Sequence, residues 1–386
     1  MSVTAAKGFA AGAVRAGIRK QDRLDLALVR SLVPATGAGM FTINRVQAAP
    51  VVVSREHLER AQPQAIVANS GVANAATGER GLHDARATAS AAAAKLGLAP
   101  EEVLVLSTGV IGVPLPLDRL LSGLERIELG ENGGRDAAEA IRTTDTCAKQ
   151  AVAHGGGFTV GGMAKGSGMI HPCLATMLAV VTTDYPLEPG EAIELLRPAV
   201  DASFNAISVD GECSTNDTVL LLANGASGVE RTPATDEELV VCLRTVCGAL
   251  AKQIVADGEG ATVLAEIAVR GAGSDGEARA IAERVATSPL VKTALHGHDA
   301  NWGRIAAAAG SAKFDGGFAA LDPDRLTIVI DGVPVLVDGM PSGDEPALTN
   351  GNCAIEIDLA LGDGAATYLT TDLSYDYVRI NSDYRS

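Results

Sequence analysis

The stretch from Gly161 to Leu178, GGMAKGSGMIHPCLATML, constrains the fold more than any other part of this chain. A glycine-rich turn, a single lysine (Lys165) and a His171-Pro172 break separate two apolar runs, FTVGGMAKGSG (158–168) and TMLAVVTTD (176–184). Short apolar runs bounded by Gly and Pro predict buried strands, the first ending in the glycine turn and the second headed by Thr176. A threonine hydroxyl is a poor nucleophile without an adjacent base. The simplest base is the residue's own α-amine, with an ordinary pKa of about 7.7–8.0. That amine exists only if the chain is cut before Thr176. The residue is therefore either part of the core or the buried N-terminus of a second subunit.

With 386 residues the chain predicts two domains, or one large layered domain with an appendage. Aromatic residues make up only 3%, so Ala, Val, Leu and Ile must build the core, and 43 glycines permit close backbone approaches. The net charge of −16 argues against nucleic acid and anionic membrane surfaces as partners. It does not argue against a small anionic substrate met by a local Lys or Arg. The cysteines at 147, 173, 213, 242, 247 and 353 form no CxxC pair, which predicts buried free thiols in a reducing compartment rather than a zinc site or disulfides. The N-terminus lacks the apolar core of a signal peptide, and no uninterrupted apolar run reaches about 18 residues. A cytoplasmic enzyme is expected.

Along the chain, LDLALV, GAGMFTI and APVVVS within 24–54 read as strands, as do AIVANSG (65–71) and EVLVLSTG (102–109). Helices are expected at 83–97, 117–127, 134–150, 189–203, 234–257 and 276–288. Strands are expected on either side of the polar loop in AISVDGECSTNDTVLLLAN (206–224), at 262–271, and as hairpins in the tail from RLTIVIDG onward. Composition shifts near 272–276 and 312–318 mark candidate boundaries. The expected division is a core domain at 1–271 and a smaller domain at 272–386.

Several motifs have plain readings that outweigh the functional ones. GAGSDG (271–276) matches G-x-G-x-x-G between a strand and a helix, but no acidic strand end follows at the required distance, so it reads as a connecting loop. Lys165-Gly166-Ser167 has the wrong order for a phosphate loop, and Gly166-Ser167-Gly168 lacks the frame of a serine hydrolase. His171, His296 and His298 have no clustered carboxylates beside them, so no metal is expected. Three polar segments fit a threonine nucleophile better. Ser107-Thr108-Gly109 ends a strand and offers a hydroxyl and backbone N–H groups to a developing oxyanion. Thr143-Thr144-Asp145-Thr146 and Cys213-Ser214-Thr215-Asn216-Asp217-Thr218 supply further hydroxyl, amide and carboxyl groups.

The chain resembles the ornithine acetyltransferase (glutamate N-acetyltransferase) family of arginine biosynthesis over essentially its whole length. The resemblance is carried by FTINRVQAAPV (41–51), NSGVANAATG (69–78), STGVIGVPLP (107–116), TTDT (143–146), VGGMAKGSGMIHPCLATML (160–178), DGECSTNDTVLLLANG (210–225), ADGEGAT (256–262), SPLVKTALHGHDANWGRI (288–305) and YVRINSDYRS (377–386). It implies an α/β (α+β) fold with a layered αββα-type sandwich core and a smaller C-terminal α/β domain. It also implies self-cleavage between Ala175 and Thr176 into chains 1–175 and 176–386, two of each in the assembly. Thr176 then serves as nucleophile, Thr108 and Gly109 form the oxyanion hole, and Thr143, Lys165, Thr176, Glu259, Asn381 and Ser386 contact substrate. The implied reaction moves the acetyl group of N2-acetyl-L-ornithine to L-glutamate with no bound cofactor, and leaves open whether acetyl-coenzyme A also serves as donor. The sequence departs from many members at Cys173-Leu174, where they carry Asn-Met. Two other functions fit the same residues: an aminopeptidase or amidase on the same self-cleaving fold, and an uncleaved amino-acid-binding protein.

Overall fold

The computed structural model describes residues 2–171 and 177–383. The expected cleavage site Ala175–Thr176 and the tail residue Ser386 lie outside the described residues. The described residues divide into two compact units, one within 2–205 and 212–254 and the other within 206–211 and 255–383.

In the first unit, alternating apolar residues form strands β1 (Phe9–Val14), β2 (Leu26–Ser31), β3 (Thr36–Phe41), β4 (Ala65–Val72), β5 (Val103–Val110), β6 (Lys149–His154), β7 (Thr159–Lys165) and β8 (Leu178–Thr183). A two-residue strand, β9 (Ile207–Ser208), belongs to the second unit, and β10 (Thr218–Ala223) returns to the first. Two sheets result, with orders β1-β2-β4-β5 and β3-β10-β8-β7-β6. The strand that starts just after Thr176 is therefore the central strand of the second sheet.

Each sheet buries both faces, and the two-residue period sorts the side chains between them. Ala27, Val29, Ile66, Ala68, Leu104 and Leu106 from the first sheet share one apolar cluster with Met163, Leu178, Val180, Leu220 and Leu222 from the second. The intervening residues Leu26, Leu28, Val67, Val103 and Val105 point the other way, against helices α1 (Ala49–Arg60), α2 (Gly78–Leu96) and α3 (Leu117–Arg126). A short helix α4 (Gly134–Ala140) adds Ala137, Ala138 and Ala140 to the layer between the sheets. Helix α5 (Glu191–Asp201) packs on β3 and β10. Helix α6 (Pro233–Ala256) comes so close to β7 that a Cβ on Gly162 would sit 2.8 Å from Val246 and 2.9 Å from Leu250. The expected helix–sheet–sheet–helix layering is what forms.

Four expectations change. The run APVVVS is not a strand but the first half of α1. Pro50 occupies a first-turn position, where it costs no hydrogen bond, and Ala49, Val53 and His57 recur at i, i+4 and i+8 on the buried face. The expected helix at 134–150 stops at Ala140, and 149–154 becomes the edge strand β6. Cys147 is exposed rather than buried, and Cys213 half-buried. Helix α6 is long and apolar enough to cross a membrane by length and composition, although no such segment was expected. Half of its most apolar window is buried in the protein, so core packing accounts for its composition.

The second unit is a seven-stranded mixed sheet in the order β16-β15-β14-β17-β11-β18-β9, using β11 (Val263–Ala272), β14 (Thr327–Ile330), β15 (Val333–Val337), β16 (Met340–Pro341), β17 (Gly351–Asp358) and β18 (Gly364–Thr371). A separate hairpin, β12 (Lys313–Phe314) with β13 (Gly317–Phe318), occupies the composition shift near 312–318. Val263, Ala265, Ile267 and Val269 of β11 face a core completed by α7 (Asp275–Ala286), α8 (Pro289–His296) and α9 (Trp302–Ala309). The division between units falls after Ile254, not at 271/272, because β11 pairs with both β17 and β18 and a cut at 272 would remove that strand from its sheet. The G-x-G-x-x-G stretch joins β11 to α7. Gly271 (φ +70°) passes so close to β17 that a Cβ would sit 2.7 Å from the Ala360 nitrogen, and Ser274 caps α7 by accepting from the Glu277 N–H at 3.2 Å.

Candidate active site

The strands place four polar segments of the first unit at one end of the sandwich. Strand β8 starts at Leu178, paired with Lys165 of β7 on one side and Thr218 of β10 on the other. Met177, the residue after Thr176, is buried and hydrogen-bonded at both its N–H and its carbonyl. Its N–H donates to Asp217 Oδ1 at 3.1 Å, and its carbonyl accepts from the Thr218 N–H at 3.1 Å.

Asn216 ties this strand head to the other sheet. Its side-chain amide donates to the carbonyls of Ala73 (2.7 Å) and Ser107 (2.8 Å), which follow β4 and precede Thr108. The Ser107 hydroxyl donates to Asn69 Oδ1 at 2.7 Å, completing a buried chain of side chains beneath the end of β5. Thr108 is buried and pairs with Ser70, and Gly109 pairs with Gly71 just before a bulge at Val72. Gly109 has φ +131°, and a Cβ there would lie 2.6 Å from both the Gly71 carbonyl oxygen and the Val72 nitrogen. Only glycine fits, for two independent reasons.

Thr143 and Lys165 are joined through Asp145, the carboxylate of the Thr143–Thr146 segment. Asp145 is buried, and its Oδ1 accepts from Lys149 Nζ at 2.7 Å and from the Gly166 N–H at 2.7 Å. Its Oδ2 accepts from the Thr143 N–H at 2.8 Å. Burial alone would raise the Asp145 pKa. The charges of Lys165 and Lys149, with the Gly166 N–H, outweigh it and hold the carboxyl well below the ordinary aspartate range. Arg19 fixes the same loop from outside, donating to the carbonyls of Arg142 and Thr143.

Asp217 has the opposite environment. It is fully buried, and desolvation pushes its pKa well above the ordinary value despite the Met177 N–H, the Lys165 charge and Ser214. The site thus contains two buried aspartates whose pKa values are pushed in opposite directions, Asp145 down and Asp217 up. Among the described residues no group of His, Cys, Asp and Glu could hold a metal ion.

Glu259 and Asn381 fall in the second unit and meet there: Asn381 Nδ2 donates to Glu259 Oε2 at 2.8 Å. The contact is built by Ser374, whose hydroxyl donates to the Gly260 carbonyl at 2.6 Å and accepts from the Tyr377 N–H at 3.1 Å. That hydroxyl caps helix α10 (Tyr375–Asp383) and anchors the Glu259 loop at once. Asp372 holds the far side of the loop through the N–H groups of Thr262 and Val263 and the Thr262 hydroxyl. Nearby, burial lowers the Lys292 pKa to about 7, against the charges of Asp372 and Asp210.

The structure therefore gathers Thr108, Gly109, Thr143, Lys165 and the strand following Thr176 in one unit, and Glu259 with Asn381 in the other. Asp145, Lys149, Asn216 and Asp217 were not singled out from sequence as individual residues. The available signal was their position: carboxyl and amide groups inside short polar loops flanked by wholly apolar strands are buried, and buried polar groups must be hydrogen-bonded.

Residues 10–386 match the model of the ArgJ family. The chain is 49% identical over 397 residues to the arginine biosynthesis bifunctional protein ArgJ of Mycolicibacterium paratuberculosis, covering all of this chain and 96% of that protein. It is 47% identical over 398 residues to the protein of the same name from Geobacter sulfurreducens, covering 98% and 99% of the two chains. Among solved structures it is similar to ornithine acetyltransferase complexed with ornithine from Mycobacterium tuberculosis, at 45% identity over 44% of this chain and 94% of that chain, with a TM-score of 0.43. Family match and relatives alike span the chain nearly end to end, both units included: this chain belongs to the ArgJ family.

Proposed function

We propose that this chain is a glutamate N-acetyltransferase of arginine biosynthesis that transfers the acetyl group of N2-acetyl-L-ornithine to L-glutamate through an acetyl-threonine ester at Thr176. The observation that carries the reading is the head of β8. Met177 is clamped between Asp217 and Thr218, just before Leu178, which pairs with Lys165, and Asn216 links this strand head to the Ser107 carbonyl beside Thr108 and Gly109. A nucleophile one residue before Met177 is thus joined directly to a buried, hydrogen-bonded anchor, as positioned attack requires.

Maturation comes first. Thr176 Oγ attacks the Ala175 carbonyl, the C–N bond breaks, and the acyl group moves to oxygen as an ester while the Thr176 amine is released. Water hydrolyses the ester, leaving the Ala175 carboxylate and the free Thr176 hydroxyl. In turnover the amine takes the hydroxyl proton as Oγ attacks the acetyl carbon. Thr108 and Gly109 stabilise the oxyanion, worth about 3–4 kcal/mol per donor in comparable sites. The proton passes to the departing N2 of ornithine, and the acetyl group remains on Thr176. The glutamate amine then attacks this ester, giving N-acetylglutamate and restoring the hydroxyl.

Lys165 pairs the α-carboxylate common to both amino acids, and Thr143 hydrogen-bonds the substrate. Glu259, oriented by Asn381, pairs the side-chain ammonium of ornithine, and Ser386 closes the site from the tail. Two copies of each cleaved chain form the assembly, no cofactor is held, and acetyl-coenzyme A is a second donor to be tested. The measurement is acetylglutamate formation from glutamate with each donor alone. Formation from acetylornithine in the absence of coenzyme A, with parallel lines in the two-substrate plot, is expected. Hydrolysis of acetylornithine unaffected by glutamate would instead assign an amidase.

A further inference from the structure

Asp217 is the buried titratable group for which the reaction above has no use, and its geometry points to one. The carboxyl is fully buried, Oδ1 accepts the Met177 N–H at 3.1 Å, and Oδ2 has no hydrogen-bond partner among the described residues. The backbone around it is fixed independently of that side chain. The Asp217 carbonyl accepts from the Thr42 N–H at 2.9 Å, and the flanking Asn216 and Thr218 bond to the Ser107 and Met177 carbonyls. Strand pairing alone would thus hold β8 in register, so the carboxyl is not needed to form the strand. It acts one residue earlier, on the amide that joins residue 176 to Met177.

We propose that Asp217 is a positioning residue for the Thr176 nucleophile: its carboxyl fixes the 176–177 peptide, and with it the direction from which the hydroxyl reaches both the Ala175 carbonyl and the acetyl carbon. This rests on the assignment of Thr176 made above. Burial raises the Asp217 pKa well above its ordinary value and so favours the neutral acid, which suits the role. A carboxylate beside a newly freed α-amine would hold it as an ammonium ion and remove the base, whereas a neutral acid accepts the amide hydrogen bond without doing so. Asparagine reproduces the neutral shape, with Oδ1 as the same acceptor and an N–H where the acid carries its proton.

The test compares Asp217→Ala and Asp217→Asn with wild type and with Thr176→Ala, following cleavage on denaturing gels, kcat and KM for acetylornithine, and Tm. Asp217→Ala should slow cleavage and lower kcat by about 100-fold, the scale of a misplaced reacting group, with KM changed less than about threefold. Asp217→Asn should recover most of that loss, with a pH–kcat profile of unchanged shape. Wild-type cleavage and kcat in Asp217→Ala would overturn the proposal, as would equal losses in both variants. If Asp217→Ala does not fold, Asp217→Asn decides alone: kcat near wild type supports the role and a loss of about 100-fold overturns it. Thr176→Ala keeps the two readings apart, since a chain that still cleaves without the hydroxyl removes the nucleophile whatever Asp217 does.

Discussion

Replacing Thr176 by alanine is expected to leave one band at the full-length mass, 39.3 kDa, and to lower acetyl transfer by about 10⁴-fold or more. One hydroxyl is asked to perform two reactions, so a single substitution removes both. Without Oγ the Ala175–Thr176 peptide has no internal attacker, and without cleavage no α-amine is available as base. Thr176→Ser should retain partial function, because the hydroxyl and the future amine are both kept. The two losses must appear together. An uncleaved Thr176→Ala chain with normal transfer would separate maturation from catalysis, and a cleaved but inactive one would place the cleavage chemistry elsewhere.

The second large effect is expected at Asp145. Its side chain and that of Lys149 are both 0% exposed and lie 2.7 Å apart, and the same carboxylate receives the Thr143 and Gly166 N–H groups. Asp145→Ala removes the carboxylate that faces the buried Lys149 charge, and breaking a buried ion pair in this way costs about 3–5 kcal/mol. It also releases the backbone on which Thr143 and Lys165 are mounted. Stability of the purified variant to denaturant should fall by that amount, and the KM for acetylornithine should rise by about tenfold. Asp145→Asn keeps the shape and should fall between. The acid dependence has a defined sign. The folded pKa lies below the unfolded value of about 3.8, so the stabilisation is fully present above that value and lost as pH falls through the folded pKa. Wild type should therefore lose its advantage over Asp145→Ala only in strong acid. A constant difference at all pH values would mean the pair contributes by packing alone.

Strands β5, β7 and β8 were legible in the sequence because each is a short apolar run with clear punctuation, glycine after β5 and β7 and Asp184-Tyr185-Pro186 after β8. The same criterion misread APVVVS. Val51-Val52-Val53 satisfies strand propensity, but Pro50 starts a helix whose buried face is set by Ala49, Val53 and His57, and that face exists only once β5 is in place to receive it. The helix expected over 134–150 forms only as far as Ala140. The helix ends there because Asp145 must turn inward to meet Lys149 and Gly166, a contact 21 residues away that local pattern does not encode. The domain boundary was displaced for a similar reason: β11 looks like the end of what precedes it, yet its partners β17 and β18 lie some 90 residues downstream. At the site, threonines and glycines in family blocks were readable one by one. What was not readable was the opposite pKa shifts of Asp145 and Asp217: desolvation raises both, and the charges of Lys165 and Lys149 with the Gly166 N–H outweigh it only at Asp145.

The central claim is a covalent acetyl group on Thr176. Its most direct measurement is the intact mass of the purified chain after rapid acid quenching with N2-acetylornithine, before and after glutamate is added. A fragment beginning at Thr176 that gains one acetyl group with acetylornithine, and loses it when glutamate is supplied, is the expected result. A single uncleaved chain, or a cleaved one that turns over without ever carrying an acetyl group, would contradict it.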